Sequence, residues 1–121
     1  MAHAINWFEI FVADLDRATR FYETMLGVPL RRETFAGTPM AIFAGGQDVV
    51  GGALVQDPQR KPSAEGPLVY LNAAGKLDAV LSRVATARGS VLLPKTDIGD
   101  PGFIAIVQDS EGNRVGLHSP R

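Results

Sequence analysis

Residues Asp14–Gly27 read DLDRATRFYETMLG, and residues Lys76–Gly89 read KLDAVLSRVATARG. Leu15, Asp16 and Gly27 of the first stretch match Leu77, Asp78 and Gly89 of the second at one fixed offset of 62 residues. A constant offset covering half the chain marks a duplicated supersecondary unit, so each half should fold alike. Two like modules facing each other can enclose a cleft, the usual seat of a ligand.

The flanks of the two stretches repeat the pattern. Leu15, Ala18, Phe21, Tyr22, Met25 and Leu26 recur at helical spacing and make one apolar face. Asp14 is a good N-cap, and Gly27 can take the left-handed conformation that ends the helix. Ile5–Val12, before it, reads as a strand. After it come strands at Arg31–Phe35, Met40–Ala44 and Val49–Gln56. Turns at Gly37-Thr38-Pro39 and Gly45–Asp48 separate them. Asp57–Glu65 is polar and contains proline, the composition of a linker. The second half follows suit. Leu68–Ala73 is a strand; Leu77, Val80, Leu81, Val84 and Ala87 form a helical face, though Ala74-Gly75-Lys76 offers no strong cap. Strands at Ser90–Lys95, Phe103–Val107 and Arg114–His118 complete it, with turns at Asp100-Pro101-Gly102 and Asp109–Asn113. Each half is therefore βαβββ: module one 1–56, linker 57–65 and module two 66–121, within one domain spanning 1–121. The fold class is α+β.

Composition narrows the function. With 121 residues, 45% of them hydrophobic, the chain suits one domain with a real core. Twelve basic and thirteen acidic residues give a net charge of −1, with no basic block, so nucleic acid is not an expected partner. No stretch approaches the roughly 20 apolar residues of a membrane span. The N-terminal residues lack the charged and apolar regions of a signal peptide, and the cytoplasm is the expected compartment. The absence of cysteine excludes disulfides, thiolate metal sites and a cysteine nucleophile. There is no Gly-x-Ser-x-Gly elbow for a hydrolase triad. Gly51-Gly52 lacks the context of a phosphate loop and reads as a bulge or close backbone approach.

Val12-Ala13-Asp14-Leu15-Asp16, then Phe21-Tyr22 and Leu26-Gly27, give the first half a recognisable signature. Leu77-Asp78, Gly89, Pro101-Gly102, and Asp109 with Glu111-Gly112-Asn113 give it to the second. In order and spacing this arrangement resembles the vicinal oxygen chelate superfamily, which includes glyoxalase I, bleomycin-resistance proteins and extradiol dioxygenases. The resemblance covers nearly the whole chain. It implies that each module curls its sheet, and that the two sheets form a cup of mixed strands with the helices outside.

The resemblance also implies metal ligands, and here the chain departs from it. Members with a metal place a His on the first strand of each module, five residues before the Val of the Val-x-Asp-Leu pattern. Those positions are Trp7 and Leu68. The late carboxylate, three residues after the Asn of Gly-Asn, falls on Gly116. The corresponding strand of the first half, Val49–Val55, has no side-chain ligand. A catalytic divalent ion usually takes three protein ligands, whereas the strands lining the cup offer only Glu9 and His118. No cofactor is therefore expected; a divalent metal held by these two and unconventional ligands is the alternative.

Alternate residues of a strand share a face. If Trp7 occupies a position that looks into the cup, Glu9 and Phe11 do too. By the same parity Leu68, Tyr70 and Asn72 face it from module two, with Arg114, Gly116 and His118 on the last strand. Glu9 is one charge among Trp7, Phe8, Ile10, Phe11 and Val12. Such a carboxylate must be solvated, paired or protonated. Burial would make it a general base near neutral pH; the other readings are a solvated group at the cup mouth or a salt bridge to Arg114. An imidazole can serve as acid or base near neutral pH, which makes His118 a candidate, but it lies near the end of the chain. Trp7, Phe11 and Tyr70 offer aromatic surface for a flat or apolar ligand, with Asn72 and Arg114 as polar neighbours. Phe21 and Tyr22 read as core, as do Met40 and Phe43. Lys95–Gly99 reads as a polar loop.

Two functional readings follow. The first is a metal-independent protein that binds a small, partly apolar organic molecule, as a sequestering module or a divergent enzyme, with Glu9 and His118 as the catalytic candidates. The second is a metal-dependent lyase, isomerase or dioxygenase. A module that serves only protein interaction is a third. Sheet edges that invite pairing, and the resemblance, lead us to expect a homodimer with the linker near its interface.

Overall fold

The computed structural model describes residues 3–43 and 49–121. Its first helix starts where Asp14 dictates. The Asp14 backbone is extended (φ −135°, ψ 105°), and its carboxylate accepts the Arg17 N–H at 3.0 Å, an N-cap bond. Helix α1 then runs Leu15–Leu26 and buries Leu15, Ala18, Thr19, Phe21, Tyr22, Met25 and Leu26. It ends at Gly27, whose φ of 75° is left-handed and whose N–H donates to the Glu23 carbonyl at 2.9 Å.

The second helix lacks that start. Lys76 makes no side-chain cap bond, and α2 spans only Leu77–Ser82. Val84 and Ala87, expected on its face, lie beyond its end but stay buried. The left-handed residue also moves. In the second half it is Arg88, at φ 75°, one position before Gly89. Gly89 is needed for a different reason: a Cβ there would overlap the Phe21 ring and lie 2.6 Å from the Gln108 carbonyl oxygen.

The strands form two separate four-stranded mixed sheets, and neither is closed. One holds β1 (Trp7–Phe11), β2 (Arg31–Phe35), β3 (Thr38–Ile42) and β4 (Gly51–Val55), in the order β1-β4-β3-β2. The other holds β5 (Tyr70–Asn72), β6 (Ser90–Asp97), β7 (Phe103–Gln108) and β8 (Arg114–Ser119), in the matching order β5-β8-β7-β6. In each the first strand runs parallel to the last and the other pairs are antiparallel. The duplicated βαβββ plan is thus present in both halves.

Three local expectations are corrected. The β2–β3 connection is a two-residue turn at Ala36-Gly37, both at positive φ, so β3 begins at Thr38. That is the twist a tight hairpin favours. β5 is only three residues long. Lys95–Asp97 belong to β6 rather than to a loop. The turn expected at Gly45–Asp48, and Ala44 at the end of the expected Met40–Ala44 strand, lie outside the described residues.

One buried cluster crosses both halves. It joins Val12, Phe21, Tyr22 and Leu54 to Leu71, Val80, Val107 and Leu117. Phe43 packs against it, its ring 5.6 Å from that of Tyr22. Arg83 ties the helices together: its Nε donates to the Met25 carbonyl at 3.0 Å, at the frayable end of α1.

The β7–β8 turn is the main polar tie between the halves. Asp109 is buried and accepts from the Tyr22 hydroxyl (2.6 Å), the Asn113 amide (3.0 Å) and the N–H groups of Glu111 and Asn113. Burial first, then the neighbouring Asp109 charge, raises the Tyr22 pKa well above its ordinary value. Asn113 also donates to the Phe11 carbonyl at 2.9 Å. Glu111 accepts from the Ala13 and Asp14 N–H groups, both at 2.9 Å, and is forked onto Arg17 at 2.6 and 2.9 Å. Burial pushes the Glu111 carboxyl up, but the hydrogen bonds from Arg17, Asp14, Ser110 and Ala13 outweigh it and hold the group at about 2.

Candidate functional site

Pleat parity divides β1 as expected. Ile10 and Val12 are buried in the shared core under α1, while Trp7, Glu9 and Phe11 lie on the opposite face. The Trp7 indole N–H donates to Glu9 Oε2 at 3.2 Å, which fixes both side chains on that face. Cross-strand partners extend it. Phe11 pairs with Val55, Val55 with Met40, and Ala53 with both Glu9 and Ile42. Phe11, Met40, Ile42, Ala53 and Val55 form a second apolar cluster, apart from the helix-side core. Met40 therefore belongs to the open face and not to the main core. In module two, Tyr70 pairs with Gly116, and Asn72 and Ile104 both pair with His118. Leu71 points the other way, into the core.

The sequence-predicted residues fall into two cavities. Glu9, Phe11 and Arg114 line one of about 240 Å³, where β1 meets the start of β8. The linker contributes Lys61 and Glu65 to its wall. Arg60 of the same linker lies 5.5 Å from the Phe11 ring centroid, within cation–π range. Tyr70, Asn72 and His118 line a second, shallower hollow of about 430 Å³. Trp7 lines neither; it is 43% exposed on the open face, and Tyr70 is 45% exposed. The structure thus brings Glu9 together with Phe11 and Arg114, and Tyr70 together with Asn72 and His118, but does not unite the two groups.

Glu9 is exposed, so the burial that would make it a general base is missing. It forms no ion pair with Arg114. None of Glu9, Glu65, Lys61 and Arg114 forms an ion pair with any described residue, and Glu9 keeps only the Trp7 bond. The smaller cavity therefore presents two carboxylates and two cations free to meet a ligand's polar groups, beside the Phe11 ring. Sequence reading missed Lys61 and Glu65, because charges in a proline-containing linker read as solvated. His118 is half-buried, and its Nε2–H donates to the Pro101 carbonyl at 2.7 Å. A carbonyl oxygen only accepts, so Nε2 carries the proton in that bond.

The positions where a divalent metal would be held do not fit one. Gly116 lies under the Tyr70 ring: even a Cβ there would overlap it. A carboxylate at this position would have to displace an aromatic side chain. Trp7 fills the first-strand position, its ring across Gly51, where a Cβ would lie 3.1 Å away. Gly52 likewise packs under Phe8, the close approach that its sequence suggests. Among the described residues no three His, Asp or Glu side chains cluster as a ligand set. Aromatic rings occupy the ground where donors would stand.

The chain matches the family model of the Glyoxalase/Bleomycin resistance protein/Dioxygenase superfamily over residues 4–117. It is 30% identical over 118 residues to CFP32, a presumed glyoxylase, of Mycobacterium tuberculosis and Mycobacterium bovis. That alignment takes in 93% of this chain but only 44% of the relative, so the chain spans about half the length of the proteins it matches. Among solved structures it is similar to a glyoxalase/bleomycin resistance protein from Albidiferax ferrireducens, with a TM-score of 0.75 at 16% identity, over 98% of this chain and all of that one. It is also similar to TnmS3, an antibiotic binding protein from Streptomyces, with a TM-score of 0.66 at 23% identity, over 100% of this chain and 98% of that one. A glyoxalase-related enzyme from Fulvimarina pelagi gives a TM-score of 0.71 at 13% identity, over 98% and 88%. At these identities the likeness to solved structures is one of fold.

Proposed function

The chain belongs to the glyoxalase/bleomycin resistance protein/dioxygenase superfamily, and from that premise we propose that it binds a small, partly apolar organic molecule on the open faces of its sheets, without a resident metal. The observation that carries this reading is the pair of half-exposed rings: Trp7 stands at a first-strand donor position itself, and Tyr70 covers Gly116, the late donor position. Exposed aromatic surface beside an apolar cluster stacks on flat ligands. Glu9, Lys61, Glu65 and Arg114 supply the few polar contacts that orient a ligand. The fold is shared both with an antibiotic binding protein and with a glyoxalase-related enzyme, so it accommodates sequestration as well as chemistry. Glu9 and His118 line different cavities of one chain, so they do not act together as acid and base within it.

Size supports a dimer. Ligand pockets usually run from about 300 to 1,000 Å³, and the Glu9 cavity, at about 240 Å³, falls short. A two-fold partner that places its Tyr70 hollow opposite this cavity joins the two halves into one site of ordinary size. Light scattering tests the assembly: a mass near 12.9 kDa that does not change on concentration rules the dimer out.

Trp7 is the only tryptophan, so its fluorescence reports on the proposed site alone. A thermal-shift screen of planar organic molecules, antibiotics included, should yield compounds that stabilise the protein by mass action and quench Trp7. Tyr70→Ala should weaken them. Hits that leave Trp7 emission unchanged and bind the Tyr70 variant equally well would place the ligand elsewhere. Stoichiometric divalent metal in protein purified without chelator would overturn the metal-independent reading in favour of the lyase, isomerase or dioxygenase alternative.

A further inference from the structure

The helix side of the molecule carries a cleft of about 660 Å³ that the proposed function does not use. Arg17, Arg20 and Thr24 reach it from α1, where spacings of three, four and seven residues share one face. Thr86 and Arg88 come from the turn after α2, and Ser110 from the β7–β8 turn. Phe21 and Ala87 make its apolar part, and no carboxylate of a described residue lines it. Three guanidiniums and three hydroxyls thus converge in a chain whose net charge is −1.

Their charges are unevenly committed. Arg17 gives Nε and one terminal nitrogen to Glu111, which leaves its other terminal nitrogen, and the Ser110 hydroxyl donates to the same carboxylate at 2.9 Å. Arg20 and Arg88 are exposed and form no ion pair with any described residue. Arg88 also holds a left-handed backbone (φ 75°), with its N–H on the Ala85 carbonyl at 3.0 Å. An L-residue is strained there, and glycine takes the conformation freely. In module one the left-handed residue after the helix is Gly27. The backbone gains nothing from arginine at 88, so its use lies in the side chain. Gly89 beside it packs so closely on Phe21 that the turn is pressed against α1, which keeps Arg88 facing the α1 arginines.

We propose that this cleft binds a phosphoryl dianion. Guanidinium forks match phosphate oxygens in pairs, and the Thr24 and Thr86 hydroxyls complete the donor set. The volume leaves room for the organic group that bears the phosphoryl. The same chemistry occurs in soluble phosphate esters and in phospholipid headgroups.

Two variants isolate the site. Arg88→Gly removes a guanidinium and relieves the backbone, so it should unfold at or above the wild-type temperature. Arg20→Gln removes a second from an exposed helix position. Inorganic phosphate, titrated at low salt and followed by ³¹P NMR, should bind the wild type, and each variant should weaken it by about tenfold or more. Cosedimentation with phosphatidylcholine vesicles, with and without phosphatidic acid, separates the sources. Capture that requires phosphatidic acid and Arg88 assigns a lipid headgroup; phosphate binding without capture assigns a soluble ester. Phosphate affinity unchanged in both variants, or a wild type that binds neither phosphate nor phosphatidic acid vesicles, overturns the proposal.

Discussion

Glu111→Gln tests how firmly the β7–β8 turn holds the start of α1. The folded carboxyl stands at about 2 against an ordinary 4.5. At about 1.4 kcal/mol for each tenfold change in proton affinity, the difference is worth at most about 3.5 kcal/mol. The Arg17 side chain is 48% exposed, so solvent screening cuts the figure to about 1.5–2 kcal/mol. The sign follows from the direction. A carboxyl held below its unfolded value stabilises the fold fully above about pH 4.5, and the contribution fades as pH falls towards 2. Urea unfolding, followed by far-UV circular dichroism at pH 7, 5, 4 and 3, reads it directly. The wild type should exceed Glu111→Gln by a nearly constant margin from pH 7 to 5, and by less than about half that margin at pH 3. Melting at pH 7 should fall by roughly 5–8 °C. A margin that is the same at pH 3 as at pH 7 would show that the carboxylate charge contributes nothing, and that the tie is one of shape alone.

Two further changes probe the same junction. Tyr22→Phe strands Asp109, which is buried and takes a 2.6 Å bond from the Tyr22 hydroxyl; a loss of about 2 kcal/mol in urea unfolding is expected, and a neutral result would mean that water replaces the hydroxyl. Gly89→Ala should cost about 1–3 kcal/mol, because its new methyl meets Phe21 and the Gln108 carbonyl. Combining it with Phe21→Leu should cost less than the sum of the two single changes, since the leucine frees part of the contested space.

The repeat in Asp14–Gly27 and Lys76–Gly89 carried the architecture, because caps and apolar spacing are local signals. Asp14 and Gly27 end α1 as their types require, and the weak start at Lys76 is matched by a six-residue α2. Strand parity put Glu9 and Ile10 on the correct faces. The site was less legible. The apolar neighbours of Glu9 left it open between a buried base, a salt bridge to Arg114 and a solvated group; it is exposed, as alternate residues of an open sheet can be. Glu9 and His118 also line separate cavities, a separation that depends on how the two modules dock. The arginine cleft was invisible for the same reason: Arg20 and Arg88 meet only in space. Asp109 and Glu111 were noticed as parts of a pattern, but their partners are 87 to 98 positions away, beyond the reach of any local rule.

The Asp109–Asn113 turn has a kinetic meaning as well. The first helix is made early, but the groups that finish its N-terminus and receive its Tyr22 hydroxyl are made about ninety residues later. Contacts of such long separation slow folding, because the chain must close large loops before they reward it. Module one emerging from a ribosome is a provisional structure, with Phe21 and Tyr22 waiting for the second half to bury them. Opening of either half should then expose the other, so hydrogen exchange of the deepest amides in both should report a single global event.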